Sequence, residues 1–97
     1  MKTIFIPCDQ AFEEGVLNIL NINGVRGFTS WENVLGKGSK TGEPHLGSHA
    51  WPSLNSAILA VVEDHHVKPI LEALKKLDDS SALLGLRAFV WNVEEMI

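Results

Sequence analysis

Asn55-Ser56-Ala57-Ile58-Leu59-Ala60-Val61-Val62 is an almost unbroken apolar run of strand length. A half-exposed strand would alternate apolar with polar residues, so this composition predicts a central strand covered on both faces. On its C-terminal side Asp64 can cap a helix with an apolar stripe of Val67, Ile70, Leu71, Leu74 and Leu77. Pro69 is compatible with that helix if it lies in the first turn, where its missing N–H is harmless. The helix is expected to end near Asp78-Asp79-Ser80-Ser81, and Gly85 to Val93 reads as a last strand, with Phe89, Trp91 and Val93 on one face and Leu86, Ala88 and Val90 on the other.

On the N-terminal side of the central run, Gly36 to Pro52 holds four glycines, two prolines and two histidines and cannot form a regular element. Before it, Gly27 to Leu35 alternates loosely enough for a half-exposed edge strand closing at Gly36, and Asn23-Gly24 marks a turn. A first helix is expected over roughly residues 10–21: Phe12, Val16, Ile19 and Leu20 recur at helical spacing, Asp9 can cap it, and Glu13 and Glu14 suit its positive end. Thr3-Ile4-Phe5-Ile6 reads as the opening strand, stopped by Pro7.

The order is β-α-β-β-α-β, the ferredoxin-like α+β pattern, in which a four-stranded antiparallel sheet carries both helices on one face. Three of those strands are apolar on both faces, yet two helices can cover only one. The other face is therefore expected to be buried by further copies of the chain, and a homotrimer closing three sheets around a common core fits best. The 97 residues allow a single domain over 1–97, with 36–52 as a long loop. A net charge of −4 with eight scattered Lys and Arg argues against an electrostatic grip on nucleic acid or lipid. No apolar run reaches the roughly 18–20 residues of a membrane span, and Met1-Lys2-Thr3 leads straight into strand-like sequence, so a cytoplasmic protein with no membrane insertion is expected.

In this topology Cys8, the 36–52 loop and Arg87 gather at one end of the sheet, while His65, His66 and Asn23 lie at the other. Loops beyond about 12–15 residues are uncommon in compact domains unless they carry function. Pro44-His45-Leu46-Gly47-Ser48-His49-Ala50-Trp51-Pro52 has imidazoles, an indole and stiffening prolines, unlike a Ser- and Lys-rich linker. Cys8, His45 and His49 form a candidate set for Zn²⁺ or Cu, since thiolate and imidazole suit borderline-soft ions. The alternative is a buried Cys8 with hydrogen-bonding loop histidines. Cys8 lies just before the first helix, whose dipole would favour the thiolate, but a mobile loop holds a general base poorly, so an enzyme is not expected. Lys37, Lys40 and Arg87, beside backbone N–H groups near Gly36 and Gly38, read either as a small anion site or as solvated charge. Trp51 either anchors the loop or stacks on a flat ligand, Trp91 reads as core or subunit interface, Trp31 on its edge strand as interface, and His65-His66 as exposed neighbours of a helix start.

Gly27-Phe28-Thr29, Glu32, Gly36-Lys37-Gly38 and the following Ser39-Lys40-Thr41-Gly42 together resemble the strand-two and T-loop entry of PII signal-transduction proteins. Arg87-Ala88-Phe89-Val90 is similar to the basic residue and strand after that family's B-loop, and Ile6-Pro7 falls where its first strand breaks. The loop itself is similar to divergent PII-like members found beside heavy-metal efflux systems. The resemblance implies a trimeric regulator that binds a small ligand, an adenine nucleotide or an anion, in clefts between subunits. It also implies signalling through the loop to a protein partner such as a membrane transporter. Thr29 matches an adenine-contacting position, Gly36 and Gly38 the loop base, and Arg87 a phosphate-contacting position. Leu86 replaces a B-loop glycine, the metal-coordinating T-loop glutamine is missing and there is no tyrosine, so 2-oxoglutarate sensing and uridylylation are not expected. The competing reading is a scaffold module whose loop docks on a transporter or enzyme without any ligand.

Overall fold

The computed structural model describes residues 1–36, 54–81 and 84–97. Strand β1 (Lys2–Asp9) leads through a 3₁₀ turn (Gln10–Phe12) into helix α1 (Glu13–Ile22), followed by β2 (Thr29–Val34), β3 (Asn55–Val62), α2 (Asp64–Asp79) and β4 (Phe89–Asn92). The order in space is β2-β3-β1-β4, and every pairing is antiparallel. This is the βαββαβ, ferredoxin-like arrangement expected from the sequence. No described helix is long and apolar enough to cross a membrane.

β1 and β3 pair over eight residues, Lys2↔Val62 to Asp9↔Asn55. Partners across a pair share a face, so Ile4, Ile6 and Cys8 join Ile58 and Ala60 under the helices. Phe12, Val16 and Leu20 of the first helical segment and Ile70 and Leu74 of α2 close that core. Thr3, Phe5 and Pro7 lie on the opposite face with Ala57, Leu59 and Val61. Trp31 joins them by pairing with Ala57, and Phe89 and Trp91 by pairing with Phe5 and Thr3. Among the described residues no helix covers this face: Trp31, Phe89 and Trp91 are 46, 51 and 49% exposed.

Five local expectations are corrected. β1 does not stop at Pro7 but runs on to Asp9. The Pro7 carbonyl accepts from the Arg87 N–H at 3.0 Å, and the Asp9 N–H donates to the Gly85 carbonyl at 2.8 Å. The donor that Pro7 lacks therefore points away from β3, so the β1–β3 ladder is unharmed. The same missing donor shortens the last strand. Phe5↔Phe89 and the isolated Cys8↔Leu86 bridge share one register, yet the ladder breaks between them, opposite Pro7, and β4 begins only at Phe89. Asp9 caps the 3₁₀ turn, its Oδ1 accepting from the Ala11 N–H at 2.8 Å, and not α1 directly. Asp64 is the first residue inside α2 and not its cap; Glu63 holds that position, and Pro69 falls in the second turn, where its ring leaves the His65 carbonyl without the usual helical donor.

β2 carries an irregularity with consequences for the uncovered face. Trp31 pairs with Ala57 and Val34 with Asn55, so three steps on β2 match two on β3. This is a β-bulge, and Asn33 adopts φ +57° within it. The extra residue brings Val34 back to the face that Trp31 occupies. Asn tolerates the left-handed region and a β-branched residue does not. Asn33→Gly is expected to keep stability within about 0.5 kcal/mol of the native chain, and Asn33→Val to lower it by about 1–3 kcal/mol, read from urea unfolding midpoints.

Candidate functional site

The uncovered sheet face deepens at its β2–β3 end into a cleft of about 680 Å³. Phe5, Trp31 and Phe89 form its aromatic walls, and Gly36, Asn55 and Arg87 bring backbone and polar groups to its rim. Each wall residue is there for a reason already given: Phe5 and Phe89 pair directly, and the bulge puts Trp31 and Val34 on one face. Aromatic side chains flanked by a guanidinium and an amide suit a flat, anionic ligand.

Arg87 is fixed by its backbone and only loosely held at its tip. Its N–H is tied to the Pro7 carbonyl, while its guanidinium, mostly exposed, lies 3.3 Å from the Leu86 carbonyl and 3.9 Å from an Asp78 carboxylate oxygen. Such a loose, solvated ion pair contributes little to stability and leaves the cation available to a ligand. Gly36 closes the β2 side of the cleft, and a Cβ there would stand 2.3 Å from the Asn55 amide nitrogen. Any side chain at position 36 would have to push Asn55 out of its place.

Of the residues singled out in the sequence, Gly36 and Arg87 meet in this cleft. Thr29 is exposed on the same face as Trp31 but pairs with Leu59, toward the middle of the sheet, outside the cleft wall. Gly38, His45 and His49, with Lys37, Lys40 and Trp51, lie outside the described residues. Cys8 is at the expected end of the sheet, but it faces the core beneath the helices and is buried. Burial, reinforced by the nearby Glu13 and Asp9 carboxylates, pushes its thiol up to about 12. The expectation that the first helix favours the thiolate is thus overturned: Asp9 and the 3₁₀ turn separate Cys8 from α1, and desolvation outweighs the dipole. Asn55, Val34 and the Phe5–Phe89 pair are site residues that periodicity alone does not reveal. A polar residue opening an otherwise apolar strand is the one sequence signal that could have found Asn55.

The arrangement defines a ferredoxin-like domain with a ligand-sized cleft on the sheet face that its helices leave bare. The chain belongs to the nitrogen regulatory protein P-II family, whose model matches residues 1–97. Among solved structures it is similar to CPII from Thiomonas intermedia K12, a nitrogen regulatory PII-like protein bound to ADP, AMP and bicarbonate. The identity is 26% over 97% of this chain and 88% of that one, with a TM-score of 0.71. A second CPII structure, bound to ADP and bicarbonate, is 24% identical over 97% and 88% of the two chains, with a TM-score of 0.73. A putative PII-like signaling protein from Thermus thermophilus is 20% identical over 95% and 85%, with a TM-score of 0.67. No curated protein matches the chain.

The state of Cys8 can be read directly. At pH 8 the folded protein should react with iodoacetamide at least about a hundredfold more slowly than the urea-unfolded chain, whose thiol titrates near 8.5. A folded-state pKa above the unfolded one contributes stability that is whole below about pH 8.5 and is lost as pH rises toward about 12. Cys8→Ala should therefore flatten the alkaline limb of the stability profile, and an unchanged limb would contradict the raised pKa.

Proposed function

We propose that the protein is a PII-type regulator that assembles as a homotrimer through its uncovered sheet face and binds an adenine nucleotide in clefts between subunits. The observation that carries this reading is the cleft itself: aromatic walls and Arg87 stand beside Gly36, where the 36–52 segment begins, on the face that the described helices leave bare. An ADP molecule offers an aromatic base for the Trp31 and Phe89 side and a diphosphate for Arg87. The CPII structures with bound ADP support the choice of nucleotide. A small anion such as bicarbonate is the second ligand class, supported by its presence in the same CPII structures.

In this reading Thr29 contacts the base from the neighbouring subunit, Gly36 and Gly38 let the loop backbone approach the ligand, and Arg87 holds phosphate. The 36–52 segment carries the signal to a protein partner, a membrane transporter being one class, in the cytoplasm. The role is regulatory instead of catalytic. Cys8 is buried in the core beneath the helices, which gives no support to a thiolate–imidazole metal set with His45 and His49.

Sedimentation equilibrium at micromolar concentration is expected to give three times the chain mass, and a monomer would refute the assembly. Calorimetric titration with ADP should show binding that Arg87→Ala weakens about tenfold or more, which corresponds to about 1.4 kcal/mol. Equal affinity in the variant would remove Arg87 from the site. Deleting residues 39–50 should abolish partner capture while leaving the trimer intact; capture that is indifferent to ADP would favour the ligand-free scaffold.

A further inference from the structure

Helix α2 opens at the end of the sheet opposite the cleft, beside the Lys2↔Val62 pair, with Glu63-Asp64-His65-His66. Glu63 sits at the cap position in extended conformation and makes no side-chain capping bond, so the helix does not use its carboxylate. The His66 N–H donates to the Glu63 carbonyl at 3.0 Å, closing a tight first turn that draws three side chains together. The Glu63 carboxylate lies 3.4 Å from His65 Nδ1, the two imidazole centroids are 4.1 Å apart, and one donor atom from each residue lies within 4.8 Å of the others. The neighbouring Asp64 is engaged elsewhere, 3.1 Å from the Met1 amine.

From this geometry we propose that Glu63, His65 and His66 form a surface site for a borderline divalent transition metal, Zn²⁺ foremost. Two imidazoles and one carboxylate, with the remaining position left to water, are a donor set that Zn²⁺ accepts. Ca²⁺ and Mg²⁺ prefer oxygen ligands and are poorly served by it. Ligands on tetrahedral zinc at about 2.0–2.2 Å stand roughly 3.3–3.5 Å from one another, a spacing that Glu63 and His65 already have. His66 has little over an ångström to close, and the exposed Glu63 and His65 rotate freely to meet it. His66 is the anchored member, half-buried with its ring over Gly24, which turns the chain at φ +79° and has no side chain to crowd the imidazole. Metal here would clamp the first turn of α2 to the carboxylate of its own cap residue. The site shares no residue with the nucleotide cleft, and the two proposals stand or fall separately.

Zn²⁺ binding is measured by chelator competition on the full chain carrying Cys8→Ser, which removes the thiol as a rival ligand. One Zn²⁺ per chain at micromolar affinity is expected, weakened tenfold or more by His65→Ala or by His66→Ala and severalfold by Glu63→Gln. Cu²⁺ loaded in place of Zn²⁺ should show two coupled imidazole nitrogens by electron paramagnetic resonance, and one in either His variant. These side chains lie outside the core, and an unchanged urea midpoint without metal confirms folding. Affinity unchanged in both His variants, loss of all binding with Cys8→Ser alone, or no binding at millimolar Zn²⁺ would each overturn the site, whatever ADP titration shows.

Discussion

The eight-residue pairing of β1 with β3 is the constraint on which the rest of the molecule depends. It gives every residue of the two central strands a side. Ile4, Ile6 and Cys8 with Ile58 and Ala60 go beneath the helices, while Phe5, Pro7, Ala57, Leu59 and Val61 go to the face no helix reaches. A slip of one residue would exchange the two sets. Because both sets are apolar, alternation cannot select the register; the helices do, by supplying Val16, Leu20, Ile70 and Leu74 to one side only.

Two departures from ideal sheet geometry then turn a bare face into a site. Pro7 interrupts the β1–β4 ladder, so residues 85–88 stay close to β1 by single backbone bonds and present Arg87 at the rim. The bulge at Asn33 brings Trp31 and Val34 to the same side and delivers Gly36 against Asn55. An uninterrupted sheet would have been flatter at that end, with Val34 directed toward the helices. The polar and aromatic groups of the cleft are thus placed by backbone irregularities and not by loops alone.

The element order and both core stripes were legible in the sequence because apolar spacing reports burial directly: Phe12, Val16 and Leu20, and Ile70 and Leu74, are buried as their spacing requires. Pro7 was read correctly as an interruption but assigned to the wrong neighbour, since sequence does not tell which side of a strand its missing donor faces. The bulge escaped notice because Asn33 is an ordinary residue in an edge strand, and only pairing with β3 exposes the extra step. Burial of Cys8 was one of the readings open in the sequence; proximity to a helix suggested a dipole effect on the thiol, whereas its face of β1 puts it in the core. Of the cleft, Gly36 and Arg87 were found through motif resemblance, while Asn55 and Val34 needed three dimensions.

The margins of the sheet carry one more implication. β4 offers only four residues to a newcomer strand, and β2 is bent by its bulge and carries the exposed Glu32. Short, kinked and charged borders are poor templates for adding further strands, so lateral growth into fibrils is discouraged at both ends. Among the described residues the exposed aromatics Trp31, Phe89 and Trp91 share a broad face instead of a rim, a shape that favours small closed assemblies over endless polymers.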